Sequence, residues 1–307
     1  MAALSAGFPD VGRSVTDAVV ARRLLAELPR PVFEPIPVGR VEELTVTGAG
    51  GTPLPARGYW PAAEDGQAAP LVVYFHGGGW ALCDLDTSDA LCRNMARLAG
   101  VIVVSVAYRL APEHRFPIPA QDAYAATSWA AEHAAELGAD PARIAIGGDS
   151  AGGNLAAATA LMARDRGGPD IAHQLLIYPV TDHDFTTASY RDNGDAFFTT
   201  ARHMRWYWEQ YLGPGGDGSD PLASPLRAQD LSGLPSARIV TAQYDPLRDE
   251  GEAYAERLRA AGVDATVRRY DAMFHGFFGF PQIAPVVERA NEEEFALLAG
   301  RLRGAAV

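Results

Sequence analysis

Residues 142–166 read ARIAIGGDSAGGNLAAATALMARDR, and this stretch decides the fold. Its first half is apolar over a strand-length run, the pattern of a strand buried on both faces. Its second half is an alanine-rich helix. Between them, Gly148-Asp149-Ser150-Ala151-Gly152 matches G-x-S-x-G, the turn that lifts a serine above the end of a sheet. Such a turn forces the serine backbone into a sparsely populated conformation, so it needs small neighbours, and Gly148, Gly152 and Gly153 supply them. The same residues also permit a plain strand-to-helix turn with Ser150 as an inert helix cap. A serine hydroxyl is a poor nucleophile without a base and a group of donors for the oxyanion, so the choice rests on distant residues.

Outward from this stretch, strand-length apolar runs alternate with segments of helical period, as in a parallel sheet covered by helices. Strands are predicted near 41–47, 54–60, 71–76, 101–106, 143–148, 173–178, 237–243 and 265–270. Runs such as LVVYFH and VIVVSVAY read as doubly buried, whereas VEELTV alternates and suits an antiparallel edge. Helices are predicted near 11–27, 86–99, 120–137, 151–166, 201–212, 249–262 and 286–303. Two segments break the rhythm: residues 1–40, with LPRPVFEPIPVG, and residues 183–225, with the aromatic FFTTARHMRWYWEQYL. These are expected to form a cap over a core of 41–182 and 226–307, all within one domain spanning 1–307.

Composition narrows the chemistry. At 307 residues and 48 % apolar, the chain can bury a full core. A net charge of -12 disfavours nucleic acid and anionic membrane surfaces, so a neutral small molecule is the expected partner. All 26 basic residues are arginine, which removes lysine Schiff-base chemistry. Cys83 and Cys92 form neither a disulfide framework nor a metal-ligand spacing and read as core or helix-face thiols. The amino terminus has no basic segment followed by an apolar run, and no stretch reaches the ~18 apolar residues of a membrane span, so a soluble cytoplasmic protein is expected.

Three further stretches answer the question that Ser150 raises. Residues 74–80, YFHGGGW, place three glycines directly after a strand, where backbone N–H groups can turn toward a ligand. Gly77 and Gly78 are the expected oxyanion donors, with Ala151 as the third, and His76 is expected to brace the loop. In chain order the acid should follow the serine and the histidine should come last. His275, in YDAMFHGFFGF after the last strand, is therefore the candidate base. Asp245, in TAQYDPLRDEG at the end of the seventh strand, is the candidate acid, although Asp245-Pro246 also reads as a helix start. Asp249 and Glu250 are expected to favour the amino terminus of the following helix through its dipole.

Together, HGGGW at 76–80, YRLAPEHRFP at 108–117, GDSAGGN at 148–154, DPLRDEG at 245–251 and FHGF at 274–277 resemble the hormone-sensitive-lipase group of α/β-hydrolases. The resemblance spans about 70–280 and implies the α/β-hydrolase fold: a mostly parallel, eight-stranded sheet flanked by helices, with a helical cap. It implies a cofactor-free carboxylesterase for short acyl chains, with Ser150 as nucleophile, His275 as base and Asp245 as acid. It further implies that Glu113 supports the glycine loop by hydrogen bonding, and Asp149 before the serine places the chain in the GDSAG branch. Other acyl chemistry on the same triad (lactone, amide or carbonate cleavage) is the alternative. Non-catalytic binding proteins of this fold lack the histidine that stands here as His275. Phe8, Phe33, Trp80, Phe197, Phe198 and Trp206 are candidate residues for an acyl or alcohol site, and the cap aromatics suggest a compact apolar pocket for short-chain or aryl esters. In the resembling family the last strand and final helix often form a dimer contact, which leaves monomer and homodimer both open.

Overall fold

Eight strands form one sheet in the order β1-β2-β4-β3-β5-β6-β7-β8 in a computed structural model that describes residues 8–28, 33–62, 68–195 and 198–304. The strands are β1 (Arg40–Thr47), β2 (Pro53–Trp60), β3 (Ala69–Phe75), β4 (Ile102–Val106), β5 (Ala139–Asp149), β6 (His173–Ile177), β7 (Ser236–Tyr244) and β8 (Ala265–Phe274). The β1–β2 and β2–β4 pairs are antiparallel, and every other neighbouring pair is parallel. The division follows the sequence pattern. All five residues of β4 and of β6 are buried, whereas β1 has a single buried residue, Val46. All eight predicted strands are present; β5 starts earlier than predicted and β8 runs on to Phe274.

The helices are α1 (Ala18–Glu27), α2 (Asp89–Ala99), α3 (Ile118–Glu132), α4 (Ala134–Leu137), α5 (Ala151–Arg166), α6 (Ala188–Asn193), α7 (Ala201–Leu212), α8 (Arg248–Ala260) and α9 (Pro285–Leu302). Apolar side chains of α2 and α9 join one core cluster with Val72, Tyr74 and Val103. Those of α3, α5 and α8 join the other, with Val73, Phe75 and Val104. Alternate residues of β3 and β4 thus feed opposite faces, which is why their sequences are apolar throughout. In α5 every residue from Ala151 to Met162 is buried, and its alanines let neighbouring elements approach on all sides.

Three parts of the helical reading differ from the structure. The predicted 120–137 helix is divided at His133 into α3 and α4. The predicted 11–27 helix begins only at Ala18, because the Asp17 carboxylate accepts from the Val20 N–H at 2.9 Å and caps it there. The 183–225 segment also holds α6, which was not anticipated. Its Thr187 hydroxyl accepts from the Tyr190 N–H at 3.3 Å, a capping signal that six residues of mixed polarity do not reinforce. Residues 8–28 and 183–225 pack on one another: the Trp206 indole N–H donates to Thr16 O at 2.9 Å, and Arg202 pairs with Asp10.

Candidate active site

Ser150 stands at the junction of β5 and α5 with φ 55° and ψ -118°, a conformation costly for a residue with a β-carbon. Its surroundings hold it there. The Ser150 N–H donates to Ile177 O at 2.8 Å, tying the turn to β6. A β-carbon on Gly152 would lie 1.8 Å from Phe75 O, so the crossing of β3 and α5 admits only glycine. The side chain makes no cap bond to its own helix. Instead, Ser150 Oγ lies 2.9 Å from His275 Nε2, and His275 Nδ1 lies 2.8 Å from Asp245 Oδ2.

Each partner is placed by an element end. Asp245 follows β7, is fully buried, and uses its second oxygen, Oδ1, to accept from the Leu247 N–H at 2.8 Å. Asp245 is therefore not the cap of the next helix, which starts at Arg248 after Leu247; its Oδ1 instead closes the short turn that leads into it. His275 follows β8, and Gly276 beside it takes φ 86°, a left-handed turn suited to glycine. The Tyr178 ring rests against the imidazole with centroids 4.7 Å apart, a contact that sequence reasoning missed. Ser150 and His275 are only 7 % and 6 % exposed, so the relay lies in a nearly dry setting.

The glycine loop corrects one expectation. The Gly77 N–H donates to Asp149 Oδ1 at 2.9 Å and is therefore committed to the protein. Among the described hydrogen bonds the N–H groups of Gly78, Gly79 and Ala151 have no protein acceptor, and Ala151 opens a helix, where none is available. The free donors thus move one residue along, to Gly78, Gly79 and Ala151. Asp149 also accepts from the Tyr74 hydroxyl at 2.7 Å, and its burial pushes its carboxyl above the usual range. His76 braces the loop through Nδ1, 2.8 Å from Gly77 O, and stacks on Tyr108 at 4.5 Å. Burial pushes the His76 imidazole below its ordinary pKa, which favours the neutral ring.

Glu113 does not reach the glycine loop. Its carboxylate is 46 % exposed and pairs with Arg22, whose guanidinium donates to Ala81 O at 2.9 Å and to Ala111 O at 3.1 Å. Arg22, on α1, is the residue that ties this region together, and nothing near it in sequence signals the role. Asp249 and Glu250 also reach beyond their helix. Asp249 accepts from the Ser189 N–H at 2.7 Å, and Glu250 from the Thr181 N–H at 2.7 Å and the Asp182 N–H at 3.2 Å. Burial pushes Glu250 well above the usual carboxylate range.

Of the described pocket candidates, Phe198 lies against the turn after β8, where a β-carbon on Gly276 would meet its ring at 3.4 Å, and Phe8 packs on Phe198 with centroids 5.2 Å apart. Trp80 is 0 % exposed, sealed by Tyr211 at 4.1 Å and Trp208 at 4.8 Å, so it is core and lines no cavity. Trp206 is 4 % exposed and is used to join α7 to residues 8–28. Phe33 is 44 % exposed, unlike a residue in an enclosed wall. Phe197 lies outside the described residues. The side chain that closes on the glycine loop is Tyr207, which was missed: a β-carbon on Gly79 would lie 2.0 Å from its ring. A surface groove of about 520 Å³, lined by residues 34–37, Asn94, Arg97, residues 281–285 and Glu288, contains none of these groups.

Among the described residues, no cluster of three His, Cys, Asp or Glu side chains could hold a metal ion, and no helix is long and apolar enough to cross a membrane. The family profile of the alpha/beta hydrolase fold matches residues 72–279, which contain the serine, the acid, the histidine and the glycine loop. The chain belongs to this α/β-hydrolase family, in its hormone-sensitive-lipase group. This α/β-hydrolase is 47 % identical over 282 residues to the carboxylic ester hydrolase LipN of Mycobacterium tuberculosis, covering 89 % of this chain and 73 % of the relative. It is 45 % identical to the carboxylesterase NlhH of the same organism, covering 95 % and 92 %. Among solved structures it is similar to the Pyrobaculum calidifontis esterase, with TM-score 0.82, 45 % identity and 88 % of each chain covered. An ester hydrolase from the metagenome of Lake Arreo superposes with TM-score 0.88 at 37 % identity, covering 98 % of this chain and 95 % of the other.

Proposed function

We propose that this hydrolase is a serine carboxylesterase that cleaves short-chain acyl or aryl esters through an acyl-enzyme. The observation that carries the reading is the unbroken relay from Ser150 Oγ to His275 at 2.9 Å and from His275 to Asp245 at 2.8 Å. His275 Nε2 takes the Ser150 proton as Oγ bonds to the ester carbonyl carbon. The oxyanion is met by the N–H groups of Gly78, Gly79 and Ala151. Collapse breaks the carbon–oxygen bond to the alcohol, which leaves with the proton from His275. Water then gives its proton to His275 as it attacks the acyl carbon, and the acid departs with Ser150 Oγ re-protonated. Asp245 orients the imidazole through Nδ1–H and stabilises its cation.

Residues 8–28 and 183–225 serve as the cap in this reading, supported by the Trp206 to Thr16 bond and by Tyr207 pressed on Gly79. Esterase relatives at 45–47 % identity support the activity class. The test is hydrolysis of p-nitrophenyl esters from acetate to palmitate by wild type and Ser150→Ala. Turnover confined to short esters and abolished in the variant is expected. Labelling of Ser150 by a fluorophosphonate without ester turnover would instead point to lactone, amide or carbonate cleavage. Absence of labelling would remove the catalytic reading.

A further inference from the structure

The two flanks of the relay are chemically unequal. On the glycine-loop side Tyr207 lies against Gly79, and the loop folds tightly on itself, so that a β-carbon on Gly78 would sit 2.3 Å from Leu82 O. On the histidine side stand three phenyl rings. Phe198 packs against Gly276, the residue after His275, and its centroid lies 6.1 Å from that of Phe274, the residue before it. Phe8, from the amino-terminal segment, closes the row 5.2 Å from Phe198. None of the three is buried; each keeps part of its surface open.

The chemistry assigns these flanks to different parts of an ester. His275 must hand its proton to the departing alkoxide, so the alcohol oxygen has to sit on the Nε2 side and its substituent beside the histidine turn. Partly open phenyl rings there favour a planar aromatic group, because offset and edge-to-face ring pairs add attraction beyond area burial. We propose that Phe8, Phe198 and Phe274 form the alcohol subsite and that Phe198 is its specificity-determining residue, selecting esters of aryl or arylmethyl alcohols. This rests on the triad reading above and says nothing of the acyl part.

The test compares the acetates of two primary alcohols of similar size, benzyl acetate and cyclohexylmethyl acetate. Both yield the same acetyl-enzyme, so their kcat/KM ratio reports acylation alone. Wild type is expected to favour the benzyl ester by about three- to tenfold, the worth of one ring pair. Phe198→Leu, which keeps apolar bulk without the ring, is expected to bring the ratio near one. The ratio between ethyl acetate and ethyl butyrate, which probes the acyl side, is expected to keep its wild-type value. A wild-type ratio near one, or one that survives Phe198→Leu and Phe198→Ala, overturns the subsite while leaving the esterase intact. A variant that shifts the acyl ratio as much as the alcohol ratio also overturns it. Failure of wild type on all four esters indicts the esterase reading itself.

Discussion

Removing the Asp149 carboxylate probes whether the glycine loop is held from below. Oδ1 accepts from Gly77 N–H at 2.9 Å and from the Tyr74 hydroxyl at 2.7 Å, and the side chain fills the space that a β-carbon at Gly77 would need, 2.3 Å from Oδ2. Asp149→Ala leaves both donors without a partner. Each unsatisfied buried donor costs about 1–3 kcal/mol, so the variant should lose about 2–6 kcal/mol, against a total of about 5–15 kcal/mol for a typical domain. Asp149→Asn keeps an acceptor oxygen of the same shape and gives up a charge that burial already disfavours, so its loss should stay near 1 kcal/mol. Catalysis should separate the two more sharply. A loop free to shift by about 1 Å misplaces the Gly78 and Gly79 donors, and the loss of an oxyanion donor costs about 10²–10³ in kcat. The assay is urea denaturation followed by circular dichroism, beside p-nitrophenyl butyrate turnover at urea-free conditions where each variant is folded. A folded Asp149→Ala protein with kcat within about threefold of wild type would refute this role for Asp149.

Two other predictions concern groups whose contacts the sequence alone does not display. Because Arg22, not Glu113, contacts Ala81 O and Ala111 O, Arg22→Ala should lower both stability and kcat/KM, whereas Glu113→Gln should change stability by at most about 1 kcal/mol, as for other solvent-exposed pairs. Equal damage from both variants would restore Glu113 as the support. Burial raises the Glu250 carboxyl well above its unfolded value of about 4.3, so the native state keeps a proton that the unfolded state releases. The resulting stability is fully present below about pH 4.3 and is lost as pH rises toward the folded pKa. Glu250→Gln carries no such proton, so its stability relative to wild type should climb with pH from 4.5 to 8; parallel urea-denaturation curves for the two proteins would contradict the burial argument.

How much was legible varies with the range of the interaction. Ser150, His275 and Asp245 could be read because each sits in a local setting the chain itself displays: glycines around a turn, or a polar residue directly after an apolar strand. The free N–H groups of the glycine loop lie one residue later than the sequence suggests. Three successive glycines look alike in sequence, and only the Gly77 to Asp149 bond, across 72 positions, shows which N–H is already taken. Trp80 and Trp206 read as pocket aromatics because a large apolar side chain near a site suits lining and core equally well. Burial against Tyr211 and Trp208 in one case, and the bond to Thr16 in the other, decided for core.

By itself, then, the sequence determined the sheet, its parallel centre and the three groups of the relay, because hydrophobic period and turn chemistry act between near neighbours. Tertiary structure alone decided that Tyr207 seals Gly79, that Arg22 anchors Ala81 and Ala111, and that Phe8, Phe198 and Phe274 meet beside His275. These contacts join residues far apart in the chain. Their energies come from packing and from buried hydrogen bonds that exist only once the folded elements share the same space.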